Sequence, residues 1–81
     1  MQHFRPPQFR RALAKFPPPI QKAFEKQLRF LLTNIRHPSL RAKKYDETTG
    51  VWQARVTSNV RFYFVIQDDA YLLLDIEKHK D

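Results

Sequence analysis

Apolar residues recur every three or four positions through the first half of the chain and every second position through the last third. Phe9, Leu13 and Phe16 stand at helical spacing. With Pro7 tolerated in a first turn, they predict a short helix from Pro7 to about Phe16. Pro17–Pro18–Pro19 breaks it, because proline lacks the amide donor and disfavours helix in the residue before it. A second helix is expected from about Pro19 to Arg36. Its buried stripe is Ile20, Phe24, Leu28, Leu31 and Ile35, widened by Ala23 and Leu32. Lys22, Glu25, Lys26 and Arg29 take the outer face, with Glu25 and Arg29 spaced for a weak i,i+4 pair. Ahead of the helices, Gln2–Arg5 reads as a short edge strand stopped by Pro6 and Pro7. After them, His37–Gly50 reads as a basic loop carrying Arg41, Lys43 and Lys44, with Tyr45 as a core anchor at its end. The period then becomes two. Val51–Thr57, Arg61–Ile66 and Ala70–Glu77 form an antiparallel meander turning at Ser58–Asn59 and Asp68–Asp69.

Register decides which side chains share a face. A two-residue turn pairing Thr57 with Val60 puts Arg61 with Trp52 and Val56, and Arg55 with Phe62 and Phe64. Burying either face then buries an arginine, which costs several kcal/mol when unpaired, on the order of 3–5. Pairing Thr57 with Arg61 instead gathers Trp52, Ala54, Val56, Phe62, Phe64 and Ile66 on one face. Gln53, Arg55, Arg61 and Tyr63 fall on the other. By the same alternation Leu72, Leu74 and Ile76 join the apolar face. Tyr71, Asp75 and Glu77 join the polar one, with His79 just past the strand end. The expected fold is α+β: a helical hairpin packed on a small antiparallel sheet, one domain over residues 1–81.

Composition narrows the partners. The chain has 81 residues, 42% hydrophobic and 14% aromatic, too apolar for disorder but with room for only a modest core. Fifteen Lys and Arg against eight Asp and Glu leave +7, which attracts polyanions: nucleic acid, an acidic protein segment or an anionic membrane surface. The absence of cysteine excludes disulfides, thiol nucleophiles and thiolate metal sites, and fits a reducing cytosol. Met1–Arg10 lacks the apolar run of a signal peptide and nothing is long enough to span a bilayer, so a soluble cytoplasmic protein is expected.

The polar face supplies chemistry that RNA cleavage through the 2′-hydroxyl requires: a proton acceptor, a proton donor and positive charge on the phosphate. Arginine holds two phosphate oxygens in its planar fork, and histidine gives or takes a proton near neutral pH. Lysine or tyrosine serves if its pKa shifts, and Tyr63 is placed to stack on a base. The plainer alternative is a solvated face on which Arg55 and Arg61 pair with Asp75 or Glu77, with Lys43 and Lys44 on a solvated loop and His79 an idle tail residue. Glycine-rich phosphate loops and nucleophile elbows are absent, the histidines and carboxylates have no metal-ligand spacing, and no cofactor is indicated.

Gly50-Val51-Trp52-Gln53-Ala54-Arg55-Val56, then Asn59-Val60-Arg61-Phe62-Tyr63-Phe64-Val65-Ile66, resembles the RelE/ParE toxin superfamily. There an aromatic-led strand ending in arginine precedes a turn, a second arginine and an apolar strand. An acidic turn (Asp68–Asp69), another apolar strand and a basic tail (Lys78-His79-Lys80) complete the likeness, which also takes in the Phe-Arg-Arg-Ala-Leu start of the helical hairpin. The resemblance implies a toxin of a type II toxin–antitoxin pair, cutting ribosome-bound mRNA without a metal and silenced by an acidic antitoxin. It maps catalysis to Arg61, Arg55 and His79, and RNA binding to Lys43, Lys44, Tyr63, Lys78 and Lys80. Many RelE-like members carry a functional tyrosine at the extreme C-terminus, where this chain reads His79-Lys80-Asp81. Two other outcomes stay open: a ParE-like poison of DNA gyrase without nuclease chemistry, and a catalytically degenerate member that only binds an antitoxin.

Overall fold

In a computed structural model describing residues 1–79, prolines open both helices. Helix α1 (Pro7–Ala14) follows Pro6, and helix α2 (Pro18–Thr33) follows Pro17, each of these caps extended with ψ near 156–158°. Proline's missing amide is harmless in a first turn, and its fixed φ suits the helix. Helix α1 ends two residues before the expected Phe16, since a residue preceding proline is pushed out of the helical region. Helix α2 stops short of the expected Arg36 because Asn34 turns extended. The Asn34 side chain then accepts the Arg36 amide at 2.9 Å.

The stretch read as a loop is more ordered than expected. A 3-10 turn, Pro38–Leu40, drives Leu40 fully into the core, and Arg41 follows in the left-handed region at φ 46°. Lys43–Asp46 is a strand, β2. All four of its residues are exposed, so it carries none of the apolar alternation by which strands are recognised. With β1 (Gln2–Phe4), β3 (Val51–Thr57), β4 (Val60–Gln67) and β5 (Ala70–Lys78), it forms a five-stranded sheet in the order β1-β5-β4-β3-β2. Strand β1 runs parallel to β5 and the other pairs are antiparallel.

Three bulges set the faces. On β3, the pairs Arg55↔Arg61 and Thr57↔Val60 leave Val56 as an extra residue. The turn is therefore the tight one, and the expected Thr57–Arg61 pairing does not occur. The bulge reverses the alternation, so Trp52, Ala54, Phe62 and Phe64 still share one face while Gln53, Arg55, Arg61 and Tyr63 share the other. On β5, Leu74 is the extra residue between Tyr63↔Asp75 and Phe64↔Leu73. Beyond it the faces exchange: Leu73 and Tyr71 enter the core, whereas Leu72 and Leu74 are only half-buried, correcting the alternation expected there. Ile66, expected in the core, is 44% exposed at the sheet's end. On β2, Tyr45 is the extra residue.

The helices cover the apolar face. Phe9 of α1 meets Phe24 of α2 at 5.3 Å, Phe24 meets Phe62 edge-on at 5.2 Å, and Phe62 and Phe64 stand 5.7 Å apart. Such pairs contribute about 0.5–1.5 kcal/mol each beyond the area they bury. Buried Gln27 fastens α2 to the rest, donating to the Arg55 carbonyl of β3 at 2.9 Å and the Ser39 carbonyl at 3.1 Å. No helix among the described residues is long and apolar enough to cross a membrane.

Glu25 pairs with Arg5 rather than with Arg29 as expected. The Arg5 fork spans both carboxylate oxygens, at 2.5 and 2.7 Å, and its guanidinium lies 5.3 Å from the centre of the Phe24 ring. The hydrogen bonds from Arg5 hold the Glu25 carboxyl below the usual carboxylate range, against the opposing effect of its partial burial. A carboxyl lowered on folding stabilises above its unfolded pKa and loses that contribution as pH falls through its folded value. Glu25→Gln is thus expected to flatten the fall in stability between about pH 5 and pH 3, measured by urea denaturation at several pH values.

Removing the amide of Gln27 leaves the partly buried Ser39 and Arg55 carbonyls without their donor. Gln27→Leu should cost about 1–3 kcal/mol, and the shift in urea midpoint at neutral pH measures it.

Candidate functional site

The uncovered face of the sheet gathers cations where β2, β3 and β4 lie side by side. Arg41, Lys43, Gln53, Arg55 and Arg61 line a cavity of about 300 Å³. Cross-strand pairing explains the convergence: Lys43 faces Gln53, and Arg55 faces Arg61. Like charges directly opposite repel, and no carboxylate lines the cavity. Among the described residues the ion pairs are Arg5–Glu25 and Lys44–Glu47, neither involving these four cations. The alternative in which Arg55 and Arg61 pair with Asp75 or Glu77 is not realised, although Glu77 stands opposite Arg61 on β5.

Each arginine is held differently. Arg61 turns one nitrogen, Nη1, to the carbonyls of the β3–β4 turn: Thr57 at 2.8 Å, Ser58 and Val60 at 3.2 Å. That anchors the guanidinium while its other donors find no protein acceptor among the described residues. Arg55 has a buried Nε with no hydrogen-bond partner. Burial, then the like charges of Arg41 and Arg61, lower its pKa from the ordinary arginine value, yet a guanidinium stays charged at neutral pH. An orphaned donor beside other cations is chemically suited to an anionic oxygen.

Tyr63 does not present a free ring. It is buried and meets Tyr45 edge-on at 5.1 Å. Burial above all, then the charge of Glu77, pushes its phenol up to about 12. The shift runs opposite to what a proton acceptor needs, so Tyr63 remains a hydrogen-bond donor. Tyr45, expected in the core, is 61% exposed because its bulge turns it to the open face. Of the two rings, Tyr45 is the exposed one.

Lys44, by contrast, pairs with Trp52 on the helix-covered side, its Nζ 5.5 Å from the Trp52 ring centre, so the two loop lysines part company. Strand alternation carries His79 to the same face as Glu77 and Arg61. Its backbone amide is tied to the Asn59 carbonyl at 2.7 Å, at the end of the cavity but outside its lining. Lys78 pairs with Val60 and also lies outside the lining. Lys80 falls outside the described residues. Sequence reasoning missed Arg41, Gln53 and Tyr45 as site residues. Gln53 was legible, being two positions from Arg55 on one strand; the other two depend on a left-handed residue and a bulge.

No group of His, Asp and Glu suited to hold a metal occurs among the described residues. Neither a family sequence model nor a curated protein sequence matches the chain. Solved structures do. A YoeB/ParE toxin from Agrobacterium tumefaciens superposes with a TM-score of 0.79 at 10% identity, over 99% of this chain and 100% of that one. The RelBE2 toxin–antitoxin complex of Mycobacterium tuberculosis gives 0.74 at 23% identity, over 98% and 96%. The heterotetrameric YoeB–YefM toxin–antitoxin complex of Staphylococcus aureus gives 0.75 at 14%, over 98% and 94%.

The cluster has a thermodynamic signature. A phosphate-bearing ligand at a hundredfold its Kd stabilises by about 2.7 kcal/mol, which at this size raises Tm by roughly 10–20 °C. A single-stranded oligonucleotide should therefore raise Tm well beyond sodium chloride of equal ionic strength, and Arg55→Ala or Arg61→Ala should remove most of the excess. Differential scanning fluorimetry reads it.

With near-complete coverage in both directions and TM-scores of 0.74–0.79, the chain has the fold of the RelE/ParE toxins.

Proposed function

We propose that this protein is the toxin of a type II toxin–antitoxin pair and acts in the cytoplasm as a metal-independent endoribonuclease on ribosome-bound mRNA. One observation carries the reading: four cations and an amide converge on one small cavity of an open sheet face with no carboxylate in its lining. Such a cavity suits a phosphodiester. Arg61, anchored by the turn, and Arg55, with its orphaned Nε, hold the non-bridging oxygens and neutralise charge as the 2′-oxygen attacks phosphorus. Gln53 offers an amide to the ribose or phosphate, Lys43 adds charge, and Tyr45 gives the base a surface. Proton transfer falls to His79, which takes the 2′-hydroxyl proton while water supplies one to the departing 5′-oxygen. The products are a 2′,3′-cyclic phosphate and a 5′-hydroxyl.

An antitoxin partner is supported by the neighbours solved as toxin–antitoxin complexes. Here the partner's segment should be acidic, since opposite charge speeds encounter with a +7 chain. Phe4, 54% exposed, lines a second cavity of about 340 Å³ at the β1–β5 edge together with Ala70 and Leu72, which favours a segment with an apolar side as well.

Expression of the chain followed by mapping of cellular mRNA ends tests the reading. Arg61→Ala should lower cleavage at least about tenfold and up to 10³-fold, the range for loss of one charge-stabilising contact. His79→Ala should lower it with an altered pH profile. Cleavage that ignores both substitutions, or no cleavage by the wild type, would favour a gyrase poison or an antitoxin-binding remnant. Co-expression with the adjacent small reading frame should abolish cleavage and co-purify the two proteins.

A further inference from the structure

Behind the β2–β3 edge, on the side opposite the cation cavity, lies a larger hollow of about 540 Å³. Ile35, Pro38, Ala42 and Trp52 give it apolar walls; Arg36 and Arg41 are exposed at its rim. Trp52 is half-buried and lies flat against Phe64, 15° from parallel at 6.2 Å, which fixes its ring. Arg41 apart, nothing in the catalytic reading uses this hollow.

Arg41 belongs to both cavities. Its neighbours explain how: Ala42 and Trp52 line the hollow, whereas Lys43 and Gln53, one position along each strand, line the cation cavity. The chain turns the corner between the faces at Arg41, which adopts φ 46° and ψ 42°. A side chain other than glycine resists that conformation, and such strain persists where the surroundings enforce it. Leu40, wholly buried, and the start of β2 enforce it here. The strained position carries not a small residue but an exposed arginine, long enough to serve both sides of the edge.

We propose that this hollow is a base-binding subsite for a nucleotide flanking the one whose phosphate lies in the cation cavity, with Arg41 bridging the two. The proposal rests on the RNA-binding reading above. Apolar walls that include the planar Trp52 ring suit a nucleobase, and Arg36 and Arg41 at the rim suit the phosphates on either side of it. The strand would thus pass around the edge rather than stay on one face. A purely protein-binding hollow would need no continuity with a phosphate site.

Trp52 is the only tryptophan in the chain, so its emission reports on the hollow directly. The probe is a 2′-O-methyl hexanucleotide, which binds but has no 2′-hydroxyl to attack, carrying a fluorescent label for anisotropy. Anisotropy and Trp52 quenching should share one midpoint. Arg36→Ala, an exposed substitution at the rim, should weaken binding about tenfold and lower the log–log salt slope by about one. Binding by anisotropy with Trp52 emission unmoved, or Arg36→Ala binding like the wild type, would overturn the subsite and leave the cation cavity standing. No binding by the wild type would remove both. Trp52 quenching by a polyglutamate peptide that the oligonucleotide fails to displace would assign the hollow to an acidic protein partner instead, and overturn the proposal.

Discussion

A guanidinium cannot be packed against Phe24 and Phe62 without a counter-charge, and the sheet is arranged around that cost. Strands β3 and β4 each alternate aromatic or aliphatic residues with arginine, and a tight turn between them would set the two patterns out of phase. One extra residue at Val56 brings them back into phase. The aromatic face can then be sealed by the helices while Arg55 and Arg61 meet on the open side. Without that bulge there would be a buried charge in place of a core, so fold and cation cluster have a common origin.

The same arrangement leaves the cluster costly in the free protein. Four cations share one cavity, and their mutual repulsion works against the compact state. What holds them is backbone: turn carbonyls gripping Arg61 on one side, and Gln27 fixing the Arg55 carbonyl from inside on the other. Gln27 also grips Ser39, within the turn that presents Arg41. A single buried amide therefore connects the helix layer to both ends of the site. The cluster is thus held by the fold in a place where its charges repel one another.

Much of this was legible along the chain. The three long strands stand within a residue of where alternation put them, and the division between Arg55, Arg61, Tyr63 and Trp52, Phe62, Phe64 follows from the expense of burying charge. What escaped has a common physical character. A bulge adds one residue without changing composition, so the positions beyond Leu74 were assigned to the wrong faces and Tyr45 to the core. An edge strand exposed at every position has no apolar rhythm to detect, which hid β2. The Arg5–Glu25 pair joins residues twenty positions apart, and local spacing favoured Arg29 instead. His79 was legible only as a residue type, and the fold ties its backbone to Asn59 in the turn whose carbonyls anchor Arg61.

Strand β1 has a consequence in time. Gln2, His3 and Phe4 are made about 68 residues ahead of their partners Ala70, Tyr71 and Leu72. At a synthesis rate of about 5–20 residues per second, the opening segment waits several seconds for the strand it lies against. Loop closure over such a span is slow compared with hairpin formation. The meander and helices can associate first, and the parallel strand docks afterwards, drawing Arg5 onto Glu25 as it arrives. Until then β5 presents a bare edge, which an intermolecular strand can occupy. Vulnerability to mispairing is thus concentrated in the newborn chain.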